Sequence, residues 1–165
     1  VLDNTGTVST TLAKEIDYLR IYFSIQQLRF GDRINYTVNI QDGLDLENYQ
    51  ILPLLLQPIV ENAVSHGLEN VDENGQILLN IYEENDTCLC IDISDNGVGM
   101  TERELADLRK NISEKDTSRT QSIGLYNINQ RIQLCYGPEY SLSIASAQGK
   151  GTTVSLRLPL NKLME

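Results

Sequence analysis

Apolar positions near the start of the chain recur at helical spacing, which predicts a long helix from Leu12 to Phe30 that ends at Gly31. Its apolar residues form two rows, one of Leu12, Ile16, Leu19, Phe23 and Phe30 and the other of Tyr18, Ile21, Ile25 and Leu28. Two rows offer more apolar surface than one face of a domain needs to bury. Either the helix is deeply buried, or one row packs against a partner helix outside this chain. The polar residues 1–11 are expected to form a flexible lead-in.

Strict alternation of apolar and polar residues predicts a half-buried strand over residues 34–40. Four further strands are predicted in two hairpins, residues 76–84 with 87–94 and residues 140–147 with 152–160.

Three shorter helices are predicted between and after these strands. Residues 53–67 form an apolar, buried helix in which Pro58 favours a kink. Thr101 begins a short helix through a capping-box pattern, and residues 123–136 form another. The polar, aperiodic residues 111–122 are expected to be a mobile loop.

This order of elements predicts an α+β fold. We expect a two-layer α/β sandwich, with a mixed but mostly antiparallel sheet and the helices on one face. A doubly wound parallel sheet is disfavoured because strands and helices would then alternate throughout.

Composition and charge narrow the possible functions. The 165 residues include 13 basic and 23 acidic side chains, for a formal net charge of −10. This balance disfavours a general nucleic-acid binder, because phosphate contacts need a basic surface. Cys88, Cys90 and Cys135 are too few, and odd in number, for a disulfide framework, and we expect small core residues in a reducing compartment. Because the first residue is Val1, we expect a longer protein whose other parts hold any membrane anchor.

The first candidate for chemistry is an asparagine in the middle of an apolar helix. Asn is a poor helix former, and its amide is costly to bury without hydrogen bonds. Asn62 is therefore either a satisfied buried amide or a ligand for a hard cation such as Mg²⁺. His66 shares its helix face, in a structural or a functional role. Glu61 points about 100° away around the helix and receives no role.

A turn with alternating glycines follows the strand at residues 87–94. Asp95, Gly97 and Gly99 belong to the segment DNGVGM. The glycines would let a flat ligand approach the backbone, and the carboxylate could accept a hydrogen bond from an exocyclic amine such as adenine N6. The alternative is an ordinary turn.

Two more segments contain glycine at the edge of a predicted element. Gly124 and Leu125 open a helix, whose free N–H groups would suit a phosphate, or they form only a flexible helix entry. Residues 149–153 (GKGTT) head the last strand and include Thr152, and here the alternative is an ordinary hairpin turn.

The order and spacing of these segments together resemble a known family. The runs LLLQPIVENAVSHG, DNGVGM, IGLYNINQRI and GKGTTVSLRLP resemble the N, G1, G2 and final-strand boxes of the histidine-kinase ATP-binding domain. That domain shares its superfamily with gyrase, the ninety-kilodalton heat-shock chaperone and MutL. The combination of PIVENA, HG and the preceding EIDYLRIYFSIQQLRFGDR is similar to the YesM/LytS-like sensor kinases in particular. The resemblance covers about residues 12–160.

This resemblance implies a Bergerat-type ATP-binding fold and a role for each matched polar residue. Asn62 would be the catalytic residue and would coordinate Mg²⁺ at the ATP phosphates. Asp95 would bind the adenine amino group, with support from Thr152 through water. His66 would lie near the nucleotide.

The matched glycines would frame an ATP lid at residues 101–122. Gly97 and Gly99 would let the lid start beside the nucleotide. Gly124 and Leu125 would close its far end over the phosphates. Lids of this kind order on binding.

Two positions depart from the pattern of the family. Pro58 stands where ATP-hydrolysing relatives have a general-base Glu, four residues before the metal asparagine, so hydrolysis is disfavoured as the main activity. Tyr126 stands where relatives commonly have a basic residue. Lys115, Arg119 or Arg131 could compensate for the missing phosphate contact.

The resemblance implies the catalytic domain of a two-component sensor histidine kinase, which transfers the γ-phosphate of ATP to a histidine on an upstream helix. The only histidine here is His66, so this chain should bind ATP without phosphorylating itself. Residues 32–165 would form the ATP-binding domain, and residues 12–31 would lead to the dimerisation and phosphoacceptor region.

The expected partners are that histidine helix, in the same chain or across a dimer, and a response regulator. The expected location is the cytoplasmic side of a bacterial inner-membrane sensor. Two alternatives stay open: a nucleotide-sensing module without phosphotransfer, and an ATPase related to MutL or gyrase.

Overall fold

The computed structural model describes residues 8–68, 71, 73–114 and 120–160. Its main sheet contains Ile34–Ile40 (β2), Gly75–Glu84 (β4), Cys88–Asp95 (β5), Leu142–Ser146 (β6) and Thr152–Pro159 (β7). A separate small sheet pairs Thr10–Thr11 (β1) with Gln50–Ile51 (β3). The α-helices are Leu12–Phe30 (α1), Gln57–Asn62 (α2), Glu102–Ser113 (α3) and Thr120–Tyr136 (α4).

The strand order in the main sheet is β2-β4-β5-β7-β6. β2 runs parallel to β4, and the other neighbouring pairs are antiparallel. The β4–β5 and β6–β7 pairs are hairpins, as predicted. The structure therefore confirms a mixed, mostly antiparallel sheet and excludes the doubly wound alternative.

The sheet has one apolar and one polar face, which follows from the alternation in its strands. On the inner face Ile77, Leu79, Ile91, Ile93 and Leu156 are almost completely buried, and they belong to the same core as the helices. The outer face includes Asn35, Asn39 and Arg157, which are exposed. Helices on one face of a sheet make the two-layer α+β sandwich that the sequence predicts.

α1 buries one of its two apolar rows and leaves the other in solvent. Leu12, Ile16, Leu19 and Phe23 lie in the core. In the second row Tyr18, Ile21, Ile25 and Leu28 are 51%, 59%, 57% and 89% exposed. Deep burial of the whole helix is therefore excluded within this chain.

The helix predicted at residues 53–67 begins later and changes pitch. α2 starts at Gln57, which places Pro58 in its first turn. There the missing N–H is not needed for an intrahelical bond, so the predicted kink at Pro58 is wrong. A π-helical turn over Ala63–Gly67 follows directly, and such turns are frequent at functional sites.

Three other expectations differ from the structure. Ser9 is buried and Thr10–Thr11 is paired, so the flexible lead-in does not extend to residue 11; residues 1–7 lie outside the described part. α3 continues to Ser113 and α4 begins at Thr120, so most of the described part of the predicted 111–122 loop is helical. Residues 115–119 lie outside the described part.

The three cysteines are free thiols, as expected. Cys90 is buried, but Cys88 and Cys135 are only half-buried. Cys135 packs against the hydrophobic core, whereas Cys90 lies opposite Tyr82 and Arg157 in the sheet and is not part of that core, so the expectation of three core residues holds only in part.

Candidate functional site

A cavity of about 300 Å³ lies between the inner face of the sheet and the helices. Six of the eight predicted site residues line it: Asn62, His66, Asp95, Gly99, Leu125 and Thr152. Gly97 and Gly124 are not in its wall, but each contacts a residue that is. The fold thus brings four separate sequence segments to one place.

One residue in the wall of the cavity is a buried carboxylate. Asp95 is the last residue of β5 and is 8% exposed, and its Oδ1 accepts the Gly97 N–H at 2.9 Å. Burial raises the pKa of this carboxyl, although backbone N–H groups of Gly97 and Thr152 act in the opposite direction. The adjoining wall is apolar, with Ile93 and Val154. A flat ring with one exocyclic amine fits this combination of surfaces.

Gly67 is a site residue that the sequence analysis missed. A Cβ at this position would lie 2.6 Å from both Cγ and Oδ1 of Asp95. The π-helical turn thus places its last residue directly against the carboxylate. The sequence signal was the pair His66-Gly67, which ends the predicted helix and belongs to the family resemblance, but no site role was given to Gly67.

The glycines of DNGVGM are needed for contacts within the protein. A side chain on Gly97 would collide with the Gly67 carbonyl, and one on Gly99 would collide with the Ala147 carbonyl. Gly99 also has a φ of 63°, which L side chains rarely adopt. The expected reason, close approach of a ligand to the backbone, is therefore not the reason that the structure gives.

Ser146 is a second residue that the sequence analysis missed. Its hydroxyl donates to the Gly151 carbonyl at 2.8 Å and accepts the Met100 N–H at 2.9 Å. It also lies 3.0 Å from the hydroxyl of Thr152. This contact fixes Thr152 beside Asp95, its partner in the β5–β7 ladder. A serine in a strand gave no signal in the sequence.

Asn62, the last residue of α2, lines the same cavity. Its Nδ2 is buried and has no hydrogen-bond partner among the described residues. A Cβ on Gly124 would lie 3.7 Å from this atom, which is an ordinary contact distance, so α4 passes directly beside the amide. The amide offers one acceptor oxygen and two N–H donors, which suit a cation and a phosphate respectively. The first interpretation of Asn62, a satisfied buried amide, does not hold.

Gly124 is the fifth residue of α4, because that helix begins at Thr120. The N–H groups without intrahelical partners are those of the first four residues. The predicted helix N-terminus at Gly124 is therefore wrong, and Gly124 lies beside Asn62 from within the helix.

The remaining polar groups near the cavity divide into two sets. His66 lines the cavity and is exposed, and α3 adds Glu104 and Asn111, which the sequence analysis missed. Glu61 accepts a hydrogen bond from Gln57 at 2.9 Å and is not in the cavity wall.

Arg131 does not compensate for Tyr126. Its guanidinium donates to the carbonyls of Pro53 and Leu54 at 2.5 and 3.3 Å. Lys115 and Arg119 lie outside the described residues.

Neither a metal-binding cluster nor a membrane-spanning helix is present in the part of the chain that the structure describes. No group of three or more His, Cys, Asp or Glu side chains is arranged to hold a metal ion. No helix in the described ranges is long and apolar enough to cross a membrane.

Comparison with known sequences gives a consistent family. Residues 51–162 match the family described as histidine kinase-, DNA gyrase B-, and HSP90-like ATPase. The sensor histidine kinase YesM of Bacillus subtilis is 34% identical over 149 residues, which is 90% of this chain and 24% of that protein. The sensor protein LytS of Oceanobacillus iheyensis is 37% identical, over 90% of this chain and 25% of that protein. The chain thus spans about a quarter of the length of these curated relatives.

Solved structures show the same fold. The catalytic domain of the histidine kinase ThkA matches with a TM-score of 0.62 at 17% identity, covering 93% of this chain and 95% of that one. The mycobacterial sensor histidine kinase MprB matches with a TM-score of 0.61 at 19% identity, covering 93% of this chain and 97% of that one. Because the family match covers residues 51–162, the chain belongs to the histidine kinase-, DNA gyrase B-, and HSP90-like ATPase family, and these sequence relatives are sensor kinases.

Proposed function

We propose that this domain binds ATP with Mg²⁺ and presents the γ-phosphate to a histidine on a helix outside this chain. The observation that carries the proposal is the pair of groups that share one cavity. Asp95 supplies a buried carboxylate, and Asn62 supplies an amide whose Nδ2 is buried and has no hydrogen-bond partner among the described residues.

The adenine ring would occupy the end of the cavity near Asp95. The carboxylate accepts a hydrogen bond from the exocyclic amine, and the hydroxyl of Thr152 supports the ring through water. A charge-assisted hydrogen bond in a buried site is stronger than a neutral one. This end therefore selects the base.

The phosphates would lie at the end of the cavity near Asn62. Its amide fits a hard cation, because Mg²⁺ takes few protein ligands and completes its shell with phosphate oxygens and water. When bound, Mg²⁺ neutralises charge on the phosphates and so favours attack at phosphorus. Asn62 holds the phosphate end in place, and Gly124 lies beside it.

The reaction would be an in-line displacement. An imidazole nitrogen of the acceptor histidine forms a bond to the γ-phosphorus, and the bond from that phosphorus to the bridging oxygen breaks, so that ADP leaves with the electron pair. Catalysis rests on positioning and charge neutralisation. Pro58 stands where hydrolysing relatives have their base, which favours transfer to an imidazole over transfer to water.

The exposed row of α1 supports a helical partner. Tyr18, Ile21, Ile25 and Leu28 follow steps of three, four and three residues, which is the seam of helix-on-helix packing. We propose that the upstream dimerisation and phosphoacceptor helices pack on this row, with residues 32–165 as the ATP-binding domain.

The wider assignment follows the relatives. One matching structure is ThkA in complex with the response regulator TrrA, which supports a response regulator as the downstream partner here. We propose a membrane-anchored bacterial sensor as the whole protein, with this domain in the cytoplasm.

The first test is calorimetric titration with a non-hydrolysable ATP analogue, with and without Mg²⁺. We expect Asp95→Ala to abolish binding and Asn62→Ala to remove mainly the gain from Mg²⁺. Asn35→Ala, on the exposed outer face of the sheet, is the matched control and should bind like the unchanged chain. Equal binding by the unchanged chain and by Asp95→Ala would contradict the adenine assignment.

The second test supplies the phosphoacceptor helices of a relative such as YesM as a separate fragment. Transfer of labelled phosphate from ATP to the fragment is expected, and ATP hydrolysis by the domain alone should be much slower. Binding without transfer would favour a nucleotide-sensing module, and rapid hydrolysis without the fragment would favour the ATPase.

A further inference from the structure

The turn that precedes α2 is held by a buried carboxylate of α1. Glu15 is 2% exposed, and its oxygens accept the N–H groups of Leu54, Leu55 and Leu56 at 2.7, 3.2 and 3.4 Å. Leu56 is the N-cap of α2 and has no side-chain cap of its own. A buried charge is tolerated only where hydrogen bonds surround it, and three consecutive N–H groups supply them.

Two residues of α4 form hydrogen bonds with the backbone of the same turn. Arg131 donates to the carbonyls of Pro53 and Leu54, and the Tyr136 hydroxyl accepts the Leu52 N–H at 3.3 Å. The turn therefore presents its N–H groups to an anion on α1 and two of its carbonyls to a cation on α4. The positive N–H ends of the peptide dipoles thus face the carboxylate, and the negative carbonyl ends face the guanidinium.

The turn needs this support because its backbone is strained. Leu54 has a φ of 54°, a left-handed conformation that costs a non-glycine residue about 1–3 kcal/mol. Its side chain is 54% exposed, so apolar burial of that side chain is not the main compensation. The strain is instead compensated by the hydrogen bonds that the turn donates to Glu15 and accepts from Arg131.

The turn sets the position of the phosphate end of the cavity. α2 follows it at once and ends with Asn62. On α4, Arg131 lies seven residues after Gly124, about two turns along the same face of the helix. The face that holds the turn through Arg131 therefore also faces the Asn62 amide through Gly124.

We infer that Glu15 and Arg131 are positioning residues that hold the Asn62 amide against Gly124. This inference rests on the proposed function of Asn62 at the phosphates. It also gives α1, the helix with the exposed apolar row, a direct connection to the metal end of the site. Movement of α1 would reach Asn62 through Glu15 and the turn.

The test uses conservative variants of the full chain, Glu15→Gln and Arg131→Lys. Glutamine replaces one carboxylate oxygen by an NH₂ group, which cannot accept the backbone N–H groups of the turn. Lysine lacks the planar guanidinium that donates to two carbonyls at once. The exposed substitutions Glu47→Gln and Arg157→Lys are the matched controls. The measurements are binding of a non-hydrolysable ATP analogue with and without Mg²⁺, binding of adenosine, and the NMR signal of the Asn62 side-chain amide in the free protein.

We expect both variants to lose about tenfold or more of the gain in affinity from Mg²⁺, as outer-sphere substitutions at metal sites do. Adenosine binding should stay within about twofold, because Asp95 is not displaced. The Asn62 amide signal should shift in both variants and in neither control. Arg131→Ala should lose more than Arg131→Lys, which retains a charged hydrogen-bond donor group.

A purely structural role predicts another result. If the variants melt at lower temperature while the Mg²⁺ gain and the Asn62 signal stay unchanged, the inference is overturned. If the unchanged chain binds no nucleotide, the proposed function fails, and the Asn62 signal still decides whether these residues position the amide.

Discussion

Substitution of Gly67 by alanine tests the architecture of the adenine end most directly. The added Cβ would lie 2.6 Å from Cγ and Oδ1 of Asp95 and 2.9 Å from Oδ2. Ordinary contact begins near 3.4 Å, so the carboxylate must move by about 0.8 Å. This movement is restricted, because Oδ1 accepts a hydrogen bond from the Gly97 N–H and the side chain is buried, with Asp95 only 8% exposed.

The expected loss of affinity follows from one misplaced hydrogen bond. A hydrogen bond to a charged group contributes about 1.5–3 kcal/mol, so Gly67→Ala should weaken binding of an ATP analogue about 10- to 100-fold. Stability should change less. Strain from overpacking costs about 1–3 kcal/mol, while alanine in a helical position regains up to about 1 kcal/mol. The melting temperature should fall by a few degrees at most.

The assay combines calorimetry at fixed Mg²⁺ with a thermal melt. Gly43→Ala is the matched control, since Gly43 has a φ of 83° and no atoms within 4 Å of an added Cβ. That control should lose about 1–2 kcal/mol of stability through backbone strain and keep its affinity. Unchanged affinity in Gly67→Ala would refute the claim that this glycine gives the carboxylate its position.

Three further predictions address pH, the helix pair and the partner surface. Burial raises the pKa of Asp95, so ionisation of this carboxyl lowers the stability of the fold as pH rises through the folded-state pKa. The variant Asp95→Asn should therefore have a higher melting temperature than the unchanged chain at neutral pH. A series of thermal melts should show that this difference vanishes toward acid pH. Asn129 is 4% exposed, accepts the Leu142 N–H at 3.0 Å and donates to the Ile112 carbonyl at 3.4 Å, so it links α4 to α3 and to β6. The variant Asn129→Ala should lower the free energy of unfolding by about 1–3 kcal/mol in a denaturant titration. A change near zero would contradict this linking role. Leu28→Glu should change stability by less than about 0.5 kcal/mol, since the side chain is 89% exposed. It should nevertheless reduce phosphotransfer to a histidine-helix fragment, and undiminished transfer would exclude the α1 row as the docking surface.

Local pattern was sufficient for much of the fold. Alternation predicted the strand at residues 34–40, and the hairpin pattern predicted the other four strands of the main sheet within about two residues. The capping box at Thr101 is present with both of its hydrogen bonds. Local pattern failed where tertiary contacts override local preference. The loop predicted at residues 111–122 is partly helical because Ile112 is buried with Leu105 and Leu108 in the core.

The site shows the same division. Asn62 and Asp95 were recognisable because a polar residue in an apolar segment is costly and calls for an explanation. Gly67 and Ser146 were not, since a glycine at a helix end and a serine in a strand are common without any function. Arg131 was one of three basic residues considered for a phosphate contact, but its guanidinium donates to the turn before α2.

The sequence by itself determined the elements, the sheet class, the family and the residues whose chemistry suits a nucleotide, because periodicity and residue type are local properties. Only the tertiary structure decided which groups meet. Gly67 lies against Asp95 because a π-helical turn ends there, and Asn62 faces Gly124 because Glu15 and Arg131 hold one strained turn between two helices. Such contacts join residues about 30 to 80 positions apart, and no local pattern records the distance between them.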